Sequence, residues 1–397
     1  MGVAMFRQFR NSNIGYYIYS ALVLLIGAAS IFAFWFMITG FNLGVYSENT
    51  FIGSVYIGGL DEREAEQKLR DRINAWYDDE EIIFEAVYHG YTYEFDRNEI
   101  TFDVEESMNN IRDGRASELI VFFPEDLRPA ILDEIRRTAF MSEIESRVAD
   151  PFDLELLLDD MLASAANMDL FARRRFEDYV YPDTEAVFFK VVNTSARTPD
   201  ASLHPTVDVL ALHDKLLEQF EEGSFQINPR SRFSMLETMP ESLSRQELSY
   251  VSSLLMDLIF ATPFDFKYTQ SPIHPDDEFY YGRNVEVRRL TEQDFAFENC
   301  MDAQFTITFT IANDALLLSL EGAPFLDDIT VTNPPEIIIL PYGTITVSNP
   351  QDERSGVNGR IVVRTRTIND LSGALVSEQE IINERYEPVA ERVLSGN

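Results

Sequence analysis

IGYYIYSALVLLIGAASIFAFWFMITGF, residues 14–41, decides how the rest of the chain is read. It lies inside a run from Asn11 to Ser47 that contains no charged residue. A membrane-spanning helix needs about 20 apolar residues, whereas a cleaved export signal has an apolar stretch of roughly 7–15 that ends at a small-residue cleavage site. No A-x-A pattern follows Phe41, so residues 14–41 read as an uncleaved transmembrane signal anchor. Arg7 and Arg10 precede the span and the first acidic residue, Glu48, follows it. Basic residues stay on the cytoplasmic side, so residues 1–13 are expected in the cytoplasm and the C-terminal bulk is expected to be extracytoplasmic. A soluble core helix apolar on every face would need protein all round it.

Charge limits the partners. The 397 residues hold 67 Asp and Glu against 32 Lys and Arg, a formal net charge of −35. With Arg7 and Arg10 set aside, the part beyond the span has 30 basic residues for all 67 acids, or −37. Such a body does not neutralise phosphates, which argues against nucleic acid. It also repels anionic membrane surfaces and wall polymers at long range, so envelope contacts must be short-ranged or bridged by cations. An acidic surface also suits a saline or alkaline medium. One cysteine, Cys300, precludes an intramolecular disulfide, and four histidines, His89, His204, His213 and His274, leave little for a zinc site. No metal and no cofactor is expected.

Past the span, Phe51–Leu60 (FIGSVYIGGL) reads as a strand closing on Gly58-Gly59. Asp61 with Glu64 three residues on forms a capping box, and Ala65, Leu69, Ile73 and Trp76 share one helical face. Ile82–Tyr88, His89-Gly90 and Tyr91–Phe95 read as a β-hairpin with His89 as a turn residue. Thr101-Phe102-Asp103-Val104 and Thr206-Val207-Asp208-Val209 match at an offset of 105 residues, each with a strand pattern before the Asp and a helical pattern after it. Both aspartates read as N-caps, and the shared order points to a diverged duplication.

These segments resemble a known family. GSVYIGGLDEREAEQKL followed by the hairpin and ITFDVEESM is similar to the type-four peptidoglycan-binding domain found after signal anchors in VanW and YoaR-like bacterial proteins. VDVLALHDKLLEQFEEGSF and SLSRQELSYVSSLLMDLIFATPF resemble the stretch that joins that domain to a VanW domain, and Phe297–Gly322 resembles the closing strands of VanW domains. Gly356–Gly396 is similar to the β-rich, G-five-like tail of such proteins. VanW domains carry a long core with a GGGxCQ motif, where this chain has only about a dozen residues between Asn284 and Phe297, and Cys300 does not correspond to the missing cysteine. The resemblance implies a peptidoglycan-binding-like domain over 51–170, a related α/β unit over 171–250, a shortened VanW-like region over 251–325 and a β-rich tail over 330–397. It also implies a bacterial envelope protein whose partners are peptidoglycan or other envelope proteins.

The remaining pattern agrees with an α+β chain. In Phe305–Ile311 apolar residues alternate with threonines, and Glu336–Leu340, Thr344–Val347, Arg360–Thr367 and Ala374–Ile382 are further strand candidates. Arg364 and Arg366 read as a solvated strand face, or else as a carboxylate-binding pair. Residues 123–148 and 151–168 carry helical spacings, with Leu154, Leu157, Leu158, Met161 and Leu162 as a core stripe. Arg173-Arg174-Arg175 reads as a patch balancing nearby acids, or as a seat for a wall carboxylate or phosphate. His213 falls on the apolar face of its helix. No nucleophile elbow, zinc motif or phosphate loop is present. A glycosidase needs two carboxylates and one raised pKa, and 67 acids make such pairs commonplace. The sequence therefore predicts a non-catalytic, single-pass envelope protein whose glycan contacts come from Tyr88, Tyr91 and Tyr93, with envelope protein–protein docking and carboxylate-based glycan hydrolysis as the alternatives.

Overall fold

A computed structural model describes residues 13–40, 44–332 and 335–395. Arg7 and Arg10, on which the expected orientation rests, lie outside the described residues, as does Phe41. Helix α1 (Asn13–Gly40) contains a window, Gly15–Met37, of which no part is buried against protein. At 1.5 Å per residue those 23 residues extend about 35 Å, enough for a hydrocarbon layer of about 30 Å. This is one N-terminal helix long and apolar enough to span a membrane.

Beyond it the protein is mixed α and β. The chain runs through β1 (Phe51–Ile52), β2 (Val55–Tyr56), α2 (Glu62–Asp78), β3 (Ile83–Tyr88), β4 (Tyr91–Glu94), β5 (Thr101–Asp103), α3 (Val104–Asn109), β6 (Ala116–Ser117) and β7 (Ile120–Phe122). There follow α4 (Leu127–Arg137), α5 (Ala139–Arg147), α6 (Leu154–Ala166), β8 (Phe171–Arg175), β9 (Lys190–Arg197), α7 (Val209–Gln219), β10 (Ser224–Ile227), β11 (Arg232–Ser234) and α8 (Arg245–Phe260). The C-terminal region is β-rich: β12 (Asp265–Lys267), β13 (Ala296–Glu298), β14 (Phe305–Ala312), β15 (Ala315–Gly322), β16 (Asp328–Val331), β17 (Glu336–Leu340), β18 (Thr344–Val347), β19 (Gly359–Asn369), β20 (Leu375–Tyr386) and β21 (Glu391–Leu394). Two compact units result. One contains the segment ending at Phe84 with Asp96–Arg128 and Leu158–Ala172, and the other contains Glu85–Phe95, Pro129–Leu157 and the segment starting at Arg173.

In the first unit, the segment expected as one strand is a tight hairpin of β1 and β2. Gly53 turns it at φ +54°, and a Cβ there would come within 2.6 Å of the Ala166 carbonyl oxygen, so a side chain is excluded. Asp61 and Glu64 form the capping box of α2, whose buried face is Ala65, Leu69, Ile73 and Trp76. Trp76 meets Phe84 and Phe102 edge-to-face, and its Nε1–H donates to the Asp169 carbonyl oxygen at 3.1 Å. Asp103 caps α3 by accepting from Glu106 N–H at 2.8 Å.

Asp208 caps α7 in the same way, in the second unit. Only the cap and helix recur. Before Asp103 stands β5, paired with β7, whereas Thr206 and Val207 sit in a turn closed by Val207 N–H on the His204 carbonyl. The buried face of α7 is Leu212 and Leu216, with His213 half-buried beside it.

The second unit is built round an antiparallel sheet in the order β10-β14-β15-β9. Phe305, Ile307 and Phe309 alternate inward, and Asn313-Asp314, both left-handed, make the two-residue turn into β15. This sheet joins strands from 171–250 to the strands at 305–322. Helix α8, capped by Ser244 and Glu247, is buried along nearly its whole length and lies against β9 and β15. A second sheet, β11-β13-β12, lies in the same unit. In the tail, β16-β19-β17 carry β20 on β19, and β18 pairs parallel with β21. Val362, Ile382 and Tyr386 belong to the same apolar core as Leu254, Phe264 and Phe305.

That shared core overturns the reading of Arg364 and Arg366 as a solvated face. They are 7% and 4% exposed. Arg366 Nη1 donates to the Thr262 and Phe264 carbonyl oxygens at 2.9 and 2.8 Å, with the guanidinium over the Phe266 ring. Arg364 lies 3.7 Å from Asp257, which Arg283 grips with two nitrogens. Polar alternation along β19 marks a face that is covered, with Arg364 beside a carboxylate and Arg366 bonded to backbone carbonyls. Arg366→Ser is therefore expected to lower stability by about 2–3 kcal/mol, because two buried carbonyls lose a charged donor. A solvated arginine would cost under about 0.5 kcal/mol, so urea unfolding of the detergent-solubilised protein distinguishes the two.

Candidate functional site

The hairpin β3–β4 carries the three tyrosines expected to stack on sugars. Its turn, His89-Gly90, is left-handed at both residues (φ +47° and +94°), as a two-residue hairpin turn requires. Tyr88 pairs directly with Tyr91, and Tyr93 lies two residues on from Tyr91, so the three share one face of the ladder. That face is turned inward. Tyr88 is fully buried and its hydroxyl donates to the Pro324 carbonyl oxygen at 2.9 Å. Tyr93 is buried edge-on against Phe95. Tyr91 is half-buried, lies over Phe140, and donates to Asp327 Oδ1 at 2.7 Å; burial and that carboxylate push its hydroxyl up to about 12. Tyr88 and Tyr93 thus offer no ring face to a ligand, and of the three only Tyr91 is partly exposed.

The turn at the hairpin's tip builds a different site. His89 is enclosed by Tyr88, stacked on it at 4.5 Å, and by Phe305 and Phe325. Its Nε2 stands 3.4 Å from Glu177 Oε1, with the two side chains 2% and 6% exposed. Glu177 follows β8 in a helical turn pinned by the buried Phe176 and Tyr179. Neither imidazole nitrogen and neither carboxyl oxygen makes a hydrogen bond. Burial disfavours charge on both groups: it pulls His89 down to about 3 and pushes Glu177 up to about 8. At neutral pH the pair is an uncharged imidazole facing a protonated carboxyl.

Glu177 lines an open cleft of about 270 Å³ together with Arg175, Asp178, Glu185, Phe189, Gln304, Thr306, Glu321 and Gly322. Thr306 and Glu321 are opposite each other on β14 and β15, so both project from one face of the sheet. Gly322 is obligatory, since a Cβ there would lie 2.2 Å from the Phe305 ring. Arg175 pairs with only one of the cleft's acids, Asp178. Arg175 is committed to Asp178 and to the Asp302 carbonyl, and Arg173 and Arg230 both hold the Asp302 carboxylate.

No family model, curated protein or solved structure matches this chain. The chemistry of the cleft is therefore read from its own residues. Among the described residues no group of three or more His, Cys, Asp or Glu is placed to hold a metal ion. Cys300 is half-buried beside Asp265, and burial pushes its thiol up, away from a reactive thiolate.

Sequence reasoning identified the His89 turn but missed Glu177 and the cleft. A His-Gly turn carries no mark of what its imidazole packs against, and Glu177 is one of 67 acids. The pair makes stability depend on pH. Folded Glu177 keeps its proton up to about pH 8, whereas in the unfolded chain it is lost near 4.5; folded His89 resists protonation down to about 3 instead of 6.5. Between pH 4.5 and 6.5 both states hold one proton on the pair, so its contribution is level. From 6.5 to 8 the unfolded pair has lost its proton and the folded pair retains it. Stability should fall there by about 2 kcal/mol as pH rises, from 1.36 kcal/mol per proton per pH unit. Subtracting a parallel urea series on Glu177→Gln, which lacks this alkaline loss, isolates the effect.

Proposed function

We propose that the protein is a single-pass envelope protein with its N-terminus in the cytoplasm and its folded mass on the extracytoplasmic side, where it binds or scaffolds peptidoglycan without catalysing a reaction. The observation that carries this reading is α1: a charge-free helix with no protein covering Gly15–Met37, joined directly to a folded, strongly acidic body. A helix so apolar on every face is stable in lipid and would aggregate in water. Arg7 and Arg10 before the span support the orientation. Wall binding draws on the resemblance of the segments after the span to VanW and YoaR-like proteins. On that resemblance, residues 51–170 and 171–250 are related α/β units and the strands after 330 form a G-five-like tail. The net charge requires that contacts with an anionic wall be local ones, and the partial exposure of Tyr91 supports a role for its ring in them.

One observation favours a second reading. A carboxyl held protonated at neutral pH, as Glu177 is, has the property a glycan hydrolase requires of its acid. Release of soluble muropeptides from sacculi over hours, abolished in Glu177→Gln, would establish that activity and displace the non-catalytic reading. The topology is tested by protease added to intact cells. The C-terminal bulk should be digested without lysis; protection until lysis would invert the orientation and remove the wall as a partner. Detergent-solubilised protein should co-sediment with purified sacculi above a wall-free membrane control across a salt series. Absence of sedimentation at every salt concentration overturns wall binding in favour of docking to another envelope protein.

A further inference from the structure

The cleft that Glu177 lines has more to it than acidity. Glu177 is a carboxyl group whose side chain is 94% buried, with both oxygens unpartnered, and it forms part of the cleft wall. Buried polar atoms normally have partners, and a carboxyl group in a cleft wall with no hydrogen bond marks a place where a polar partner belongs. The cleft also holds acceptors beside it: the Thr306 hydroxyl, the Gln304 amide, and the carboxylates of Glu185 and Glu321. Its one cation, Arg175, is already spent on Asp178 and Asp302, so an anion would find no counter-charge. A divalent metal would need three or more ligands converging on a point, and no such group exists among the described residues. What remains is a compact monovalent donor with several N–H bonds. A primary ammonium group, with three donors and one charge, has that form.

We propose that this cleft seats a primary ammonium group, with Glu177 as its buried acceptor and, resting on the wall-binding reading above, that the ligand is an amine borne by a peptidoglycan stem peptide. Seating the cation ionises Glu177, so a proton leaves: the carboxyl and the ammonium ion give a carboxylate–ammonium pair and one H⁺ to solvent. The charged or titratable groups facing the pair are Tyr88, His89, Arg175, Asp178, Glu185, Asp302 and Glu321. His89 stays neutral, because the arriving cation neutralises the carboxylate that would otherwise favour its protonation. Binding therefore tightens with rising pH until Glu177 is ionised in the free protein, near pH 8.

The test is a calorimetric titration of the full-length protein in detergent with Nα-acetyl-lysine amide, against Nα-acetyl-norleucine amide, which lacks the amine. The lysine derivative should bind saturably and at least 10-fold more tightly, with affinity rising about 10-fold per unit from pH 6 to 8 and with buffer-dependent heat equivalent to one proton released. Glu177→Gln should weaken binding at least 10-fold and abolish the pH slope. Glu321→Gln, exposed on the sheet and safe for folding, should weaken binding and retain the slope. No binding, equal binding of both compounds, or a pH-independent affinity overturns the ammonium seat. Sedimentation with native and N-acetylated sacculi separates this inference from the reading beneath it. Loss of binding on acetylation supports the wall amine as the ligand. Equal sedimentation of both rejects the wall amine while leaving wall binding standing, and lysine-amide binding without any sedimentation supports the seat while rejecting the wall.

Discussion

Burial of the helix at Arg245–Phe260 is the constraint on which the larger unit depends. Enclosed along nearly its whole length, it cannot use a polar face to meet water, so every polar group it carries must find a partner inside the protein. Two of its serines find them, while the buried Ser252 hydroxyl has none. Ser253 Oγ accepts from the Val285 backbone N–H at 3.0 Å and Ser249 Oγ from Val287 at 3.1 Å, so the helix takes the place of a neighbouring strand for an irregular segment. Glu247 closes the capping box and takes Lys215, and Asp257 collects Arg283 and Arg364. Through Asp257 the helix orders both the loop at 283 and strand β19. The tail's sheet is thereby an integral part of the core.

The same physics, low solvent access acting on titratable groups, gives the cleft its character. Where a buried acid has arginines at hand, as Asp257 has Arg283 and Arg364, it is held in an ion-pair network. Where burial outweighs the nearby Arg175, as at Glu177 beside an imidazole among phenyl rings, it holds its proton and its oxygens stay unsatisfied. Glu384 is an intermediate case: it is buried and pushed up to about 7, with the Tyr386 hydroxyl donating to it at 2.9 Å. Two buried carboxyl groups in one unit, Glu177 and Glu384, are thus both pushed up by burial, and of the two only Glu177 lines a cavity with both oxygens lacking a hydrogen bond.

Elements with a local cause were legible in the sequence. The capping box at Asp61, the N-caps at Asp103 and Asp208, the buried stripe from Ala65 to Trp76 and the alternation at Phe305–Phe309 depend on residues within a turn or a strand of one another. Features with a distant cause were not. Nothing near Arg366 announces that Thr262 and Phe264 need a donor, and nothing near Tyr88 or Tyr93 says which face of the hairpin is covered. The exclusion of a side chain at Gly53 follows from a carbonyl more than a hundred residues away.

By itself the sequence determined the apolar helix after the N-terminus, the α+β composition, the strong negative charge and the placement of most helices and strands, because each rests on composition or on short-range periodicity. Tertiary structure alone decided which charges are solvated and which are buried, which tyrosines stay partly exposed, and that His89 and Glu177 meet beside a cleft. These are outcomes of long-range packing: the free energy of a charge or a ring depends on what surrounds it in space, and residues 88 positions apart in the chain are neighbours only once the fold has formed.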